Sequence, residues 1–198
     1  MPGVAPADDW GVPRLLADRQ GEIALPVVTW GSCKRGTYNP GTWAFYTDDY
    51  RFRALLSDPG PLLRSGCVSV VEPNFTLFDQ TARAECLWTT YRKRTFSRAC
   101  QEAGLGILVD LNFPHRAADV CMRGVPVGWS AFATRGYSER LDDLRAELSF
   151  ARVWSRDRAT VLVYGGGRQV QDFCAGQPDV VWVADQRSVA REKVCPKD

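Results

Sequence analysis

Short apolar runs recur along the chain, and polar or glycine residues end each of them. Runs of this length are typical of strands. Between them lie segments whose apolar residues recur at helical spacing, most clearly over residues 81–103 and 138–154, and shorter helices are predicted over 47–57 and 114–122. The pattern predicts seven strands, over residues 25–30, 43–46, 66–71, 106–111, 129–134, 160–164 and 179–183.

The alternation of strands with helices predicts an α/β fold with a mainly parallel sheet built from repeated β/α units. The run over residues 106–111 is apolar on both faces, which is typical of a parallel sheet that is covered on both sides. With 198 residues, the chain is close to the lower limit for a full eight-fold barrel, about 200 residues. We therefore favour a reduced or incomplete TIM-like barrel. An open doubly wound sheet is the alternative.

The predicted elements occupy one continuous part of the chain. We expect a single α/β domain over residues 22–186, preceded by a flexible leader over residues 1–21 and followed by a charged tail over residues 187–198. The leader lacks the apolar core of a signal peptide. No apolar run approaches the roughly 20 residues of a membrane span, so the sequence predicts no membrane partner.

Composition narrows the classes of function. A formal net charge of +2 gives no sign of a surface that coats nucleic acid, although local basic patches remain compatible with it. The seven cysteines include no Cys-x-x-Cys pair, which favours reduced, buried thiols in a cytoplasmic protein. His115 is the single histidine. A zinc site is therefore disfavoured, and a nuclease that relies on a histidine pair is excluded.

Carboxylates lie near the ends of three predicted strands. Asp48 follows the second strand, Glu72 follows the third, and Asp110 lies near the end of the fourth. Because sites in parallel α/β folds form at the carboxyl ends of the strands, these side chains are the candidate catalytic acids and the candidate ligands of Mg²⁺. The competing interpretation is that they cap the following helices. Glu72 and Asp110 fit that interpretation least well, since each adjoins a strongly apolar run.

Other residues at the strand ends are candidates for binding a substrate. Asparagine and arginine side chains there can orient a phosphate or a sugar, and Trp30 is a candidate stacking platform. Gly165, Gly166 and Gly167 precede Arg168 and can form an anion-binding turn, with a simple turn as the alternative. The substrate-binding candidates are Trp30, Asn74, Asn112, Arg135, Tyr164, Gly165 and Gly166.

The long predicted helix contains a candidate cationic row. Helical spacing places Arg83, Arg94 and Arg98 along one edge, where they can contact a nucleic-acid backbone. A solvated helix face is the alternative. The same spacing predicts that the buried stripe of this helix consists of Ala84, Leu87, Trp88, Tyr91, Thr95 and Ala99.

The order of several motifs resembles a known family. The motifs are WAFYTDDYRF at residues 43–52, VEPNFTLF at 71–78, TYRKR at 90–94, GVP at 124–126, ATRG at 133–136 and YG at 164–165. In this order, over residues 25–167, the chain resembles the bacterial and phage family called domain of unknown function 4417. That family usually has Ser-Pro-Asp in place of Glu72-Pro73-Asn74 and Trp-Gly-Asp in place of Asn112-Phe113-Pro114. The resemblance implies an association with phages and other mobile elements, and it implies no particular activity.

These observations predict a phage or mobile-element protein that acts on a phosphate-containing substrate, a nucleotide or a nucleic acid, at the carboxyl ends of the strands. One form of this hypothesis is a Mg²⁺-dependent reaction, which requires Asp48, Glu72 and Asp110 to converge. Two alternatives stay open. One is a non-catalytic nucleic-acid-binding accessory protein that uses the arginine row, and the other is a virion or protein-interaction component that uses an exposed aromatic surface.

Overall fold

Seven parallel strands form one sheet in the computed structural model, which describes residues 8–32 and 36–185. Each strand pairs with the next one along the chain, so the order in the sheet is the order in the sequence. All of them overlap the predicted apolar runs, which confirms the α/β class. The strands, β1 to β7, are Val27–Thr29, Thr42–Ala44, Ser69–Val71, Gly106–Asp110, Ala131–Arg135, Thr160–Tyr164 and Val180–Val183.

Helices follow or precede these strands. The two long predicted helices correspond to Arg83–Glu102 and Leu141–Ser155, whereas the segment over residues 47–57 forms two short 3-10 helices, Asp49–Arg51 and Arg53–Leu56. The helix Gly167–Ala175 is missing from the prediction because its glycine-rich start is typical of a turn. No helix within residues 8–32 and 36–185 is long and apolar enough to cross a membrane. The α-helices, α1 to α5, are Gly60–Leu63, Arg83–Glu102, Ala118–Cys121, Leu141–Ser155 and Gly167–Ala175.

The sheet curls into an incomplete TIM-like barrel. In a flat sheet β2 and β6 would be about 19 Å apart, since neighbouring strands lie about 4.8 Å apart. The rings of Tyr46, just after β2, and Tyr164, at the end of β6, nevertheless stack with their centroids 5.6 Å apart. Thr29, at the end of β1, donates a 2.8 Å hydrogen bond to the Tyr164 hydroxyl. This curvature and the sequential strand order exclude the open doubly wound alternative, in which the strand order reverses.

The hydrophobic core covers both faces of the sheet. Ile107, Leu108 and Val109 of β4 have no exposed surface, as expected for a parallel strand that is covered on both sides. Free cysteines contribute to this core, in agreement with the predicted buried thiols. Those within the described residues are Cys67, Cys86, Cys100, Cys121 and Cys174.

Part of the predicted leader is packed against the domain. Val12 and Leu15 are buried, and the Gln101 side-chain amide of α2 donates hydrogen bonds to the carbonyl oxygens of Leu16 and Arg19. Over residues 8–21 the chain therefore differs from a flexible leader, because its few apolar side chains and its carbonyl groups have partners in the domain. Residues 1–7 and the predicted tail over residues 187–198 lie outside the described residues.

The end of this segment enters the N-terminal end of the sheet. The Gly21 N–H donates a 2.8 Å hydrogen bond to the Ile107 carbonyl, and the Ile107 N–H donates one of 3.2 Å to the Arg19 carbonyl. The Gln20 side-chain oxygen accepts hydrogen bonds from the N–H and the hydroxyl of Ser130, at 2.7 and 2.9 Å. The segment thus joins the start of β4 to the residue before β5.

The buried face of α2 is not the predicted stripe. Trp88 is 58% exposed and Tyr91 is 37% exposed, and their rings stack on each other at 5.7 Å. The opposite face is buried, and Lys93, Arg94, Ser97 and Gln101 on it bind carboxylates or carbonyls elsewhere in the chain. Hydrophobic periodicity does not detect such contacts. The buried polar residues of α2 are Thr89, Thr90, Lys93, Arg94, Ser97 and Gln101.

Candidate functional site

A polar cleft of about 890 Å³ opens at the carboxyl ends of the strands. Ligand sites commonly measure about 300–1,000 Å³, and this end of the sheet is where β/α barrels bind substrates. Each of the seven strands contributes a residue at or just after its end. In the order β1 to β7, these residues are Thr29, Tyr46, Asn74, Asn112, Arg135, Tyr164 and Asp185.

The stacked tyrosines join opposite sides of the cleft. Tyr46 and Tyr164 both line it although each side chain is largely buried. The Tyr46 hydroxyl donates a 3.3 Å hydrogen bond to Oδ1 of Asp110. Burial, together with the nearby Asp110 carboxylate, raises the pKa of Tyr46 well above its ordinary value. This hydroxyl therefore stays protonated near neutral pH.

Asp110 lies beneath the cleft, 1% exposed. Its Oδ2 accepts a 2.8 Å hydrogen bond from Nζ of Lys93 on α2. Its Oδ1 accepts hydrogen bonds from the Asn74 amide and the Asn112 N–H, at 3.4 and 3.3 Å. Burial raises the pKa of Asp110, and the Lys93 ammonium opposes that shift. Asp110 therefore positions Tyr46, Asn74 and Asn112 from below.

Glu72 is fully buried and engaged by α2. Both of its carboxylate oxygens accept hydrogen bonds from Nη1 of Arg94, and Ser97 donates a further one of 3.1 Å. The remaining guanidinium donors of Arg94 bind the carbonyls of Arg123 and Cys121 at 2.8 and 2.7 Å. Glu72 thus anchors α2 and the loop after α3 to the sheet, and it does not line the cleft.

The three predicted metal ligands do not form one site. Asp48 lies at the rim, where its carboxylate is 60% exposed and 3.4 Å from the Arg51 guanidinium. Glu72 and Asp110 are buried and paired with cations. Within residues 8–32 and 36–185, no group of three or more His, Cys, Asp or Glu side chains is placed to hold a metal ion. The expected convergence on Mg²⁺ is therefore wrong, because α2 supplies the positive charge to both inner carboxylates.

Arginines supply the positive charge of the cleft. Arg51 is paired with Asp48, and Arg140 donates a 2.6 Å hydrogen bond to Asp143. The Arg135 guanidinium lies 5.2 Å from the Tyr137 ring centroid. In the part of the chain that the structure describes, it has no carboxylate partner. Arg135 is therefore the cation of this cleft that is available to an anionic ligand.

Glu147 of α4 is a buried acid near the cleft that the sequence does not point to. Its Oε2 accepts a 2.6 Å hydrogen bond from the Thr134 hydroxyl of β5. Burial raises the pKa of Glu147 to about 8, and the Asp110 carboxylate acts in the same direction. Sequence analysis misses Glu147 because a glutamate within a helix ordinarily faces the solvent.

Other site residues escape sequence analysis for similar reasons. Tyr46 ends an apolar run and looks like a core residue, whereas Lys93 lies among basic residues and looks solvent-exposed. Tyr137 and Arg140 belong to the segment that leads into α4, where charged residues are typical of a helix start. Of the predicted substrate-binding residues, Asn74, Asn112, Arg135 and Tyr164 line the cleft.

Trp30 lies beside the cleft, in an adjoining apolar pocket of about 300 Å³. Its ring meets the Trp43 ring edge-on, with centroids 5.0 Å apart. Leu55 also lines this pocket, and Gly31 and Arg51 line both the pocket and the cleft. The two cavities are therefore neighbours with a shared wall.

Gly165 and Gly166 form a turn between β6 and α5. Both have positive φ values, and a Cβ at Gly166 would lie 2.5 Å from a methyl carbon of Val170. The Gly165 N–H donates to the Val183 carbonyl, and the Gly165 carbonyl accepts a hydrogen bond from Trp182. Neither glycine lines the cleft, so their placement favours the simple turn over the anion-binding one.

The predicted cationic row does not form. Arg94 is buried in its pair with Glu72. Arg83 is paired with Asp119 across to α3, and Arg98 with Glu102. Since one member is inside the protein and the other two are neutralised, these arginines do not present a continuous basic edge.

Comparisons with known proteins give phage relatives. The chain is 29% identical over 139 residues to "Gene 1 protein" of Mycobacterium phage D29, an alignment that covers 67% of this chain and 52% of the phage protein. It is 30% identical over 141 residues to "Gene 1 protein" of Mycobacterium phage L5, an alignment that covers 68% of this chain and 62% of the phage protein. The chain thus spans about half to three-fifths of the length of these curated relatives. No solved structure matches it.

The family assignment agrees with the motifs. Residues 5–175 match the family described as "Domain of unknown function (DUF4417)". The match includes the packed N-terminal segment and extends through α5, so it covers the first six strands of the sheet. It confirms the resemblance inferred from the motifs, and the chain belongs to this family of unknown function.

Proposed function

We propose that this phage-related protein acts on a phosphate-containing substrate, bound in the cleft at the carboxyl ends of the strands. The observation that carries the proposal is the Arg135 guanidinium, which reaches a polar cleft without a carboxylate partner among the described residues. A planar guanidinium is well suited to two parallel hydrogen bonds with a phosphate. The Tyr137 ring beneath it favours one orientation of the guanidinium.

The neutral groups of the cleft suit the rest of such a substrate. Asn74 and Asn112 offer amides, and Thr47 and Thr76 offer hydroxyls. These groups can donate hydrogen bonds to sugar hydroxyls and accept them. The Tyr46 hydroxyl donates to Asp110, so its oxygen can accept a hydrogen bond from a bound substrate. The proposal does not require Mg²⁺, because Arg135 supplies the charge that faces the phosphate.

Binding measurements on Arg135→Gln test this proposal. Inorganic phosphate, ribose 5-phosphate and nucleoside monophosphates would be titrated into the protein by calorimetry. Loss of a charge-assisted contact should weaken the binding of phosphate compounds about tenfold to a hundredfold. The matched control is Arg145→Gln, which removes the same charge from a side chain that is 59% exposed and paired with Asp142. Failure of every phosphate compound to bind the unsubstituted protein would overturn the proposal.

An exposed aromatic surface favours a second candidate function, that of a protein-interaction component. Phe78 is 67% exposed, and the stacked rings of Trp88 and Tyr91 are also at the surface. Exposed aromatic groups of this kind are common in protein interfaces. Sedimentation at increasing concentration would reveal association through this surface, and Trp88→Glu should abolish it. The nucleic-acid accessory alternative has less support, since its arginine row does not form.

A further inference from the structure

We infer that the apolar pocket beside the cleft holds the base of a nucleoside phosphate whose phosphate lies against Arg135. This inference rests on the proposed function and makes the substrate class narrower. It separates nucleotides from sugar phosphates, which have the same phosphate but no aromatic ring.

The walls of the pocket suit a flat apolar ring. Trp43 is 2% exposed, and its indole N–H donates a 2.7 Å hydrogen bond to the Ser65 hydroxyl, which fixes its orientation. Trp30 packs edge-on against it at an interplanar angle of 71°. Ala54, Leu55 and Pro61 also line the pocket. A rigid apolar slot of this kind favours a planar aromatic group over a hydrated sugar.

Trp30 also offers a polar group to the ligand. Its side chain is half-buried, and its indole N–H donates to no acceptor within residues 8–32 and 36–185. A tryptophan N–H in such a position usually finds a hydrogen-bond acceptor. Ring nitrogens and carbonyl oxygens of a base are acceptors of this kind, whereas an aliphatic group has none. Asp58 at the rim adds a carboxylate that can accept from an exocyclic amine.

A single ligand can reach both cavities. Gly31 and Arg51 line the pocket and the cleft alike. A Cβ at Gly31 would lie 3.1 Å from the Arg51 Cβ, so the glycine allows these two residues of the shared wall to approach closely. Arg51 is held there by a 3.0 Å hydrogen bond to the Gly31 carbonyl. The pocket of about 300 Å³ suits a base, and the cleft of about 890 Å³ has room for the sugar and the phosphate.

The test compares ligands that differ only in the base. AMP, GMP, CMP and UMP would be titrated beside ribose 5-phosphate by calorimetry. At least one nucleotide should bind about tenfold or more tightly than ribose 5-phosphate, given the usual strength of base–aromatic stacking. Trp30→Leu should abolish that difference and leave the affinity for ribose 5-phosphate unchanged. Trp30→Phe keeps a ring against Trp43 but removes the N–H, so it should reduce the difference without abolishing it.

The control is Trp10→Leu, which changes a tryptophan that is 63% exposed and lies outside the pocket. It should leave all affinities unchanged. Equal binding of ribose 5-phosphate and all four nucleotides, or a preference for a nucleotide that survives Trp30→Leu, would overturn the inference while the proposed function stands. Binding of neither ribose 5-phosphate nor any nucleotide would overturn both.

Discussion

Two consecutive residues of α2 neutralise two buried carboxylates at neighbouring strand ends. Lys93 binds Asp110, the last residue of β4, and Arg94 binds Glu72, the residue after β3. A buried charge is tolerated only with a partner and with its remaining hydrogen bonds satisfied. Glu72 therefore has a structural role, and Asp110 acts on the cleft through the groups that it positions.

Arg94→Met should destabilise the protein strongly. It leaves the Glu72 carboxylate buried without its cation, which typically costs about 3–5 kcal/mol of unfolding free energy. Urea unfolding measures the change. The double variant Glu72→Gln with Arg94→Met should recover part of the loss, because it removes the unpaired charge. Arg83→Met, which breaks the exposed pair with Asp119, should change little. An equally large loss at Arg83 would contradict this account.

Glu147 should make stability depend on pH. Its folded pKa of about 8 lies above the ordinary value of 4.5, so the folded state holds the proton more tightly than the unfolded chain. The resulting stabilisation is fully present below about pH 4.5 and is lost as pH rises through about 8. The unfolding free energy of the unsubstituted protein should therefore fall between pH 5 and 8 relative to that of Glu147→Gln. Parallel pH profiles for the two proteins would disprove the assignment.

At the scale of elements, α2 has its aromatic residues outside and its polar residues inside. Phe96 is the exception among the aromatic residues, since it is 1% exposed and meets Phe45 edge-on at 5.7 Å. The helix is thus held by a mixture of ion pairs, hydrogen bonds and a few apolar contacts. Lys93 and Arg94 attach it to the sheet through their pairs with Asp110 and Glu72.

Substitutions on the two faces of α2 should differ sharply. Phe96→Ala removes a buried ring and should cost about 3–5 kcal/mol of unfolding free energy. Trp88→Ala removes a larger ring from the surface and should cost about 1 kcal/mol or less. Denaturant unfolding of the two variants checks this order. A larger loss for Trp88→Ala would restore the stripe predicted from helical spacing.

The strands and the buried face of α2 differ in how well the sequence predicts them. Strand positions were predictable because fully buried parallel strands, such as β4 and β6, form apolar runs with sharp ends. The site at the strand ends followed from the fold class. The buried face of α2 did not, because hydrophobic spacing counts Trp88 as core and Lys93 as surface. Lys93 is buried because it pairs with Asp110, which lies beyond the end of the helix. The spacing of apolar residues within the helix does not detect such a partner.

On the scale of the whole molecule, the N-terminal segment completes the closed end of the barrel. Gln20 and Gly21 join β4 to the residue before β5 at the end of the sheet opposite the cleft. The cleft opens at one end of the strands, and the N-terminal segment covers the starts of β4 and β5 at the other. The family match from residue 5 agrees with this segment being part of the domain.

Gly21→Val should therefore destabilise the fold although it lies before the first strand. A Cβ at this position would meet Leu108 at 2.8 Å and the Ile107 backbone at 2.9 Å. Overpacking of this kind typically costs about 1–3 kcal/mol. Ala17→Val, at an exposed position of the same segment, is the matched control and should have little effect. Urea midpoints that shift equally for both variants would indicate that the segment is only loosely attached.

The buried pair of Arg94 with Glu72 also affects how the family's sequences can vary. A change at either position alone leaves a buried charge or a buried cavity, so the two positions should change together across related proteins. The resemblance described above includes members with serine where this chain has Glu72. In those members we expect either a neutral residue in place of Arg94 or, where the arginine of the TYRKR motif is kept, an acid at another position that accepts it. Independent variation of the two columns in a family alignment would show that another group can accept the arginine.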